Sequence, residues 1–226
     1  MYKLVLADAD DTLFDFSATE HSAVERTFAG MDAGIPHEEL IAEYHRINKI
    51  LWKEVEVGTM DTKRLRSERF RRLFNELKLP HSPVEYGERY IGYLSEGTTL
   101  LEGAEELCRL WSARCPLVIV TNGIADVQRA RIERSVIRPY ISGIIISEEV
   151  GASKPDARMF EAAFACVGHT GKQSAVMIGD SLTSDIQGGM NFGIDTCWYN
   201  PKGLPNTLEK EPTYQVQSLS ELKSII

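Results

Sequence analysis

From Leu101 onward the chain alternates short, uniformly apolar segments with longer amphipathic segments. The apolar segments are typical of strands that are covered on both faces, as in a parallel sheet. The amphipathic segments between them predict helices that cross over the sheet from one strand to the next. We therefore predict an α/β fold built on a doubly wound parallel sheet. Its predicted strands are Leu4–Ala7, Leu117–Val120, Gly143–Ile146, Ala175–Ile178 and Asp195–Tyr199.

Residues 17–96 follow the first predicted strand and show no strand pattern. Apolar residues recur there at helical spacing, and residues such as Gly34 and Pro80 separate the helical segments. Such a stretch is typical of a separate helical bundle. We predict two domains, which are an α/β core of residues 1–16 and 97–226 and an all-helical domain of residues 17–96 inserted into it.

Polar or charged residues come soon after four of these strands. In doubly wound sheets the ligand site lies beyond the carboxyl ends of the strands, where the strand order reverses. We therefore expect side chains from distant parts of the chain to meet in one crevice. The candidate site residues are Asp8 and Asp10, Thr121 and Asn122, Lys154, and Asp180 with Asp185.

The first strand ends in an acidic segment that contains Asp8, Asp10 and Asp11. Asp8 and Asp10 are two residues apart, so their side chains lie on the same side of an extended backbone. Two carboxylates that are this close repel each other unless a cation or a proton lies between them. A divalent cation is the simplest interpretation, and a strand that runs into an acidic turn is the alternative.

In their order and residue types, these segments resemble the motifs of the haloacid dehalogenase superfamily. The matching segments are Asp8-Ala-Asp10-Asp-Thr12-Leu13, then Thr121, then Lys154, and finally Gly179-Asp180 with Asp185. Most members of this superfamily are magnesium-dependent phosphatases that act through an aspartyl-phosphate. The resemblance therefore implies a Rossmann-like core, a phosphatase activity and Mg²⁺ as the cofactor. It also implies that the inserted helical domain is a cap over the site.

The resemblance implies a role for each catalytic candidate. Asp8 is the expected nucleophile, and Asp10 is the expected general acid and then the general base. Thr121 and Lys154 are expected to hold the transferring phosphoryl oxygens. Asn122 is expected to bind substrate beside them. In the haloacid dehalogenases proper, the position of Asp10 carries no proton donor, so the acid present here favours phosphate transfer over dehalogenation.

The resemblance also implies a set of metal ligands. The side chains of Asp8 and Asp180 and the backbone carbonyl of Asp10 are expected to bind Mg²⁺, which prefers oxygen ligands. Asp185 is expected in the second shell, where it orients Lys154 or a water molecule. Taken alone, Asp185 would equally suit the first turn of a helix, which favours negative charge.

Segments in both predicted domains resemble the bacterial YjjG-type pyrimidine 5′-nucleotidases. They are Ile47-Asn48-Lys49-x-Leu51-Trp52, Thr121-Asn122-Gly123, Ile146-Ser-Glu-Glu-Val-Gly151, Lys154-Pro155, Ser184-Asp185-Ile186-x-Gly188-Gly189 and Thr196-Cys197-Trp198. This resemblance implies a nucleoside 5′-monophosphate as substrate. We expect Asn48 and Trp52, one helical turn apart, to bind substrate by helping to recognise the base. Alternatively, Trp52 fills the core of the cap.

Composition limits the classes of partner. The 25 basic residues are outnumbered by 33 acidic residues, and the net charge of −8 argues against binding a nucleic-acid polymer. The four cysteines have no Cys-x-x-Cys spacing, which indicates reduced thiols. The sequence shows no signal-peptide or membrane-span pattern. We therefore expect a cytoplasmic protein that acts on a small phosphorylated metabolite, in an oligomeric state that the sequence leaves open.

Other functions fit parts of the same pattern. Within the same superfamily, the alternatives are a sugar-phosphate or phosphoglycolate phosphatase and a phosphomutase. From another class, the alternative is a regulatory module that binds a phosphorylated ligand without turnover. The intact acid pair of Asp8 and Asp10, together with Lys154, argues against the regulatory module, because such charges are costly to hold together without a ligand.

Overall fold

The computed structural model describes residues 2–225. Two compact units are present among them, one formed by the residues up to Phe16 together with those from Thr98 onward, and the other by Ser17–Gly97. The end residues of the predicted core, Met1 and Ile226, lie outside the described residues. None of the described helices is both long enough and apolar enough to cross a membrane.

The first unit is built on a six-stranded sheet, and every neighbouring pair of strands is parallel. The strands are β1 (Leu4–Ala7), β2 (Leu117–Thr121), β3 (Gly143–Ile146), β4 (Ala175–Gly179), β5 (Asp195–Tyr199) and β6 (Tyr214–Val216). Their order is β3-β2-β1-β4-β5-β6, so the order reverses between β1 and β4. The predicted α/β fold with a doubly wound sheet is confirmed. The sixth strand was not predicted.

The sheet is apolar on both faces because alternate side chains of each strand point to opposite sides. On one face Val5 packs in a core with residues of α5 (Ala104–Ser112) and α6 (Ala125–Arg134). On the other face Leu6 packs with residues of α8 (Ala157–Cys166) and α9 (Gln187–Phe192). A short helix, α7 (Ser147–Val150), follows β3. Because helices cover both faces, the central strands of the sheet are left uncovered only at their ends.

The second unit is helical. Its helices are α1 (Phe16–Phe28), α2 (His37–Glu56), α3 (Thr62–Leu77) and α4 (Pro83–Glu96). Asp61 caps α3 by accepting a hydrogen bond from the Arg64 backbone N–H at 2.7 Å. Aromatic rings fill its core, and the rings of Phe28 and Tyr44 are edge to face at 5.7 Å between centroids.

Candidate active site

The candidate site lies at the carboxyl ends of β1 and β4, the two strands between which the strand order reverses. Asp8 directly follows β1, and Asp180 directly follows β4. Carboxylate oxygens of Asp8, Asp180 and Asp185 all lie within 4.8 Å of one another. The fold therefore brings three acids from two separate segments into one acidic cluster, which we call the carboxylate cluster.

Lys154 joins the carboxylate cluster from a third segment. Its Nζ donates hydrogen bonds to Asp8 Oδ1 at 2.5 Å and to the carbonyl of Val120 at 2.6 Å, and it forms an ion pair with Asp185 Oδ1 at 2.7 Å. The lysine is only 3% exposed. Burial by itself would lower the pKa of Lys154, but Asp185 and Asp8 together raise it above the usual value. The lysine is therefore held as a cation beside the expected nucleophile.

The cluster brings three carboxyl groups together with one ammonium group. Burial raises the pKa of Asp8 well above its usual range, and the neighbouring carboxylates of Asp185 and Asp180 add to this effect, while Lys154 opposes it. Burial also raises the pKa of Asp180 to about 7, again with a contribution from Asp185. When ionised, three carboxylates beside one ammonium group leave a net negative charge, and a bound cation would stabilise these ionised forms. An all-oxygen donor set of this kind fits a hard divalent cation such as Mg²⁺.

Backbone contacts fix Asp180 in this position. Its N–H donates to Thr12 Oγ1 at 3.1 Å, and its carbonyl accepts a hydrogen bond from the Trp198 indole N–H at 2.8 Å. The residue before it must be glycine, because a Cβ on Gly179 would lie 2.2 Å from Asp185 Oδ2. The Asp185 carboxylate also accepts a hydrogen bond from the Ser181 backbone N–H at 3.0 Å. Both acids after β4 are therefore held by the turn that carries them.

Comparison with known proteins agrees with this geometry. The model of the haloacid dehalogenase-like hydrolase family matches residues 2–193. The chain belongs to this family. The hydrolase is 37% identical to the pyrimidine 5′-nucleotidase PynA of Streptococcus pneumoniae over 98% of this chain and 93% of PynA. It is 32% identical to the pyrimidine 5′-nucleotidase YjjG of Escherichia coli over 98% of this chain and 96% of YjjG.

A solved structure is similar over the whole length of the hydrolase. The crystal structure of the HAD-hydrolase YfnB from Bacillus subtilis, bound to magnesium, matches with a TM-score of 0.88 and 36% identity. The match covers 99% of this chain and 98% of YfnB. The predicted superfamily and the predicted resemblance to pyrimidine 5′-nucleotidases are confirmed by these comparisons.

In the hydrolase, the two polar residues at the end of β2 contact the backbone. Thr121 is 1% exposed, and its Oγ1 accepts a hydrogen bond from the Gly123 N–H at 3.1 Å. Asn122 accepts from the Lys154 N–H at 2.8 Å and donates to the Lys154 carbonyl at 3.0 Å. Asn122 therefore fixes the backbone of the lysine. The hydroxyl of Thr121 keeps a proton that it can donate. Its predicted contact with a phosphoryl oxygen stays a prediction.

The side chain of Asp10 points to different partners from those of Asp8. Its Oδ1 accepts a hydrogen bond from Arg131 Nη1 at 2.6 Å, and its Oδ2 accepts one from Gln128 Nε2 at 2.6 Å. Neither Gln128 nor Arg131 was among the predicted site residues. A signal was present in the sequence, because both lie on the same helical stripe as the buried Val127 and Ile132. Polar residues on the core-facing stripe of a helix indicate a buried partner.

The two predicted base-binding residues lie on α2 of the helical unit. Asn48 is 6% exposed and donates a hydrogen bond to Glu20 Oε1 at 2.8 Å. The hydroxyl of Tyr90 donates to the same oxygen at 3.2 Å. Asn48 Oδ1 is buried and has no hydrogen-bond partner among the described residues. Trp52 is half-buried. Their role in base recognition stays a prediction.

Proposed function

We propose that this hydrolase removes the 5′-phosphate from nucleoside monophosphates, with a preference for pyrimidine nucleotides. The observation that carries the proposal is the placement of Lys154 Nζ 2.5 Å from Asp8 Oδ1, next to the other carboxylates of the cluster. A carboxylate beside a buried ammonium group and a cation site is suited to attack an anionic phosphate, because positive charge offsets the repulsion. Two full-length relatives with the name pyrimidine 5′-nucleotidase support the choice of substrate.

The carboxylates of Asp8 and Asp180 and the carbonyl of Asp10 are the proposed ligands of Mg²⁺. The close approach of the carboxylate oxygens supports this assignment, because such a set of oxygen donors suits a hard divalent cation. When bound, the ion neutralises charge on the phosphate and helps to orient it. Asp185 holds Lys154 through its own ion pair with Nζ at 2.7 Å.

In the first step, an oxygen of Asp8 attacks phosphorus and forms an aspartyl-phosphate. The bond from phosphorus to the 5′-oxygen of the nucleoside breaks, and Asp10 donates a proton to that oxygen as it leaves. Lys154 binds a transferring oxygen through charge, and Thr121 binds another through its hydroxyl.

In the second step, a water molecule attacks the phosphorus of the aspartyl-phosphate. Asp10 takes a proton from this water, so the acid that was deprotonated in the first step is restored. The bond from phosphorus to Asp8 breaks, the carboxylate is regenerated and inorganic phosphate leaves. The two steps together consume one water molecule per phosphate monoester.

Phosphate release in the presence of magnesium tests this function. We expect the purified protein to hydrolyse uridine and cytidine 5′-monophosphates faster than purine nucleotides and sugar phosphates, as measured by kcat/KM. Chelation of divalent cations is expected to lower the rate by roughly 10²-fold or more, because the phosphate charge is then uncompensated. Added Mg²⁺ should restore the rate. Added Ca²⁺ should restore a much smaller part of the rate, because its larger and more flexible coordination shell orients the phosphate less strictly. Undiminished turnover after chelation, or a preference for sugar phosphates, would contradict the proposal.

Substitution of Asn48 tests base recognition by the helical unit. Asn48 Oδ1 has no hydrogen-bond partner among the described residues, which supports a role as acceptor for an N–H group of the base and requires that substrate binding uncovers this buried atom. Asn48→Ala is expected to raise KM for uridine 5′-monophosphate by roughly 5-fold, since one hydrogen bond in a binding site contributes about 1 kcal/mol. KM for 4-nitrophenyl phosphate, which has no base, should stay within about two-fold. The control is Asn75→Ala, at an exposed position on α3. Equal effects on both substrates would remove Asn48 from base recognition.

A further inference from the structure

Arg131 is a fully buried guanidinium group next to the expected acid–base residue. It lies on α6 with 0% exposure, and its Nη1 is 2.6 Å from Asp10 Oδ1. The rings of Phe14 and Phe16 lie 4.7 and 5.3 Å from the guanidinium carbon. The two aromatic faces favour a cation there. Arg131 is therefore held by its surroundings, and its charge is directed at Asp10.

Gln128 contacts the other oxygen of the same carboxylate. It is 1% exposed, and its Nε2 donates to Asp10 Oδ2 at 2.6 Å. Because Gln128 and Arg131 are three residues apart on one helix, both reach the carboxylate from the same face. Space for the amide depends on Gly123, where a Cβ would lie 2.3 Å from Gln128 Nε2. This explains why glycine follows Thr121 and Asn122 in a turn where its φ angle does not require it.

The two contacts determine the orientation of the Asp10 carboxylate. With one donor on each oxygen, the plane of the carboxylate cannot turn without the loss of a hydrogen bond. The side chain of Asp10 is still 24% exposed, so one side of it remains open to a reactant. It is also kept apart from the carboxylate cluster, which contains Asp8 but not the Asp10 side chain.

We propose that Arg131 and Gln128 are positioning residues that hold the Asp10 carboxylate in the direction from which it exchanges protons with the leaving group and with water. The inference rests on the proposed acid–base role of Asp10. Proton transfer requires the donor within hydrogen-bond reach of the reacting oxygen, so a carboxylate that can turn away spends less time in a productive geometry. Neither residue touches the substrate in this proposal.

A crystal structure of the Arg131→Met variant of the full chain tests the positioning without any assay of activity. Methionine keeps an unbranched apolar side chain beside the two aromatic rings but removes both the charge and the hydrogen bond. We expect the Asp10 carboxylate to change rotamer or to become disordered, and the Gln128→Leu variant to show the same change to a smaller extent. An unchanged Asp10 carboxylate in both variants would overturn the proposal.

Leaving-group dependence tests the consequence for catalysis. Nitrophenolate leaves without a proton, whereas the 5′-oxygen of a nucleotide needs one. In the first turnover, we expect Arg131→Met to release uridine roughly 100-fold more slowly than the wild type, which is the scale of general acid catalysis. In steady-state measurements, its KM should stay within about three-fold of the wild-type value. Release of nitrophenol should fall by less than about ten-fold. Arg131→Lys, which keeps the charge but contacts the carboxylate at a single point, should recover part of the loss.

The control is Arg129→Met on the same helix, where the arginine pairs with Glu149 at the surface and both rates should be unchanged. A purely structural role for Arg131 would lower both rates equally and in proportion to the loss of Tm, and this result would overturn the proposal. If Arg131→Met does not fold, Arg131→Lys and Gln128→Leu provide the same comparison. If the wild-type protein hydrolyses no phosphate monoester, the proposed function fails, whereas the crystal structures still decide whether Arg131 and Gln128 hold Asp10.

Discussion

Replacement of Asp8 with asparagine is expected to lower kcat for nucleotide hydrolysis by roughly 10⁴-fold or more, on the scale seen when a nucleophile is removed from other enzymes. The amide has nearly the same shape as the carboxylate but cannot act as the nucleophile that forms the aspartyl-phosphate. Its carbonyl oxygen can still bind a hard cation. The variant therefore separates the nucleophilic role of Asp8 from its role as a metal ligand. The measurement is the rate of phosphate release at saturating Mg²⁺.

Acid-quenched protein from the same experiment should contain phosphate bound to the chain in the wild type and none in Asp8→Asn. The matched control is Asp11→Asn, in the same acidic segment. Asp11 has a φ of 55°, in the left-handed region that asparagine also tolerates. We expect its rate to stay within a few-fold of wild type, because Asp11 has no place in the proposed chemistry. Retained turnover in Asp8→Asn would exclude the covalent mechanism.

Replacement of Lys154 with methionine is expected to affect both activity and stability. The change leaves Asp8 and Asp185 buried without the ammonium that contacts both of them. Loss of one partner from a buried ion pair typically costs about 3–5 kcal/mol, and we expect a loss of this size in the free energy of unfolding. We also expect kcat to fall by roughly 10²-fold or more, because a charge that stabilises the transferring phosphoryl group is lost. Urea unfolding and steady-state kinetics measure the two effects.

A double variant shows whether this loss comes from unpaired charge. In Lys154→Met with Asp185→Asn, one of the two uncompensated carboxylates is removed. The combined loss of stability should be smaller than the sum of the single losses by roughly 1–3 kcal/mol. The control is Lys223→Met, where a surface lysine pairs with Glu106 at 2.6 Å and little change is expected. Additive losses would mean that the carboxylate cluster does not depend on Lys154 for its charge balance.

The sheet could be predicted because its pattern is local. Four of the five predicted strands contain no polar side chain, and this property follows from double cover by helices, whichever helices cover them. The sixth strand, Tyr214–Val216, was not predicted, because it has only three residues and one of them, Gln215, is polar and exposed. The division into an α/β stretch and a helical stretch could also be predicted, because the hydrophobic period changes from one stretch to the other.

Candidate site residues could be predicted where position in the fold selects them. Asp8, Lys154 and Asp180 come after strands, and the parallel arrangement requires the ends of those strands to lie at one edge. Residue type and order then indicated the chemistry. Asn122 forms hydrogen bonds with the N–H and the carbonyl of Lys154, and its predicted contact with the substrate stays a prediction. A side-chain amide fits both tasks equally well, so the sequence could not tell them apart.

The sequence by itself determined the fold class, the edge of the sheet that carries the site and the acids that gather there, because periodicity and strand ends are properties of short segments. Only the tertiary structure decided which groups face those acids. Arg131 and Gln128 contact Asp10 across more than a hundred residues of sequence. Such a contact depends on how α6 packs beside the end of β1, and that packing is set by the whole core rather than by any local pattern.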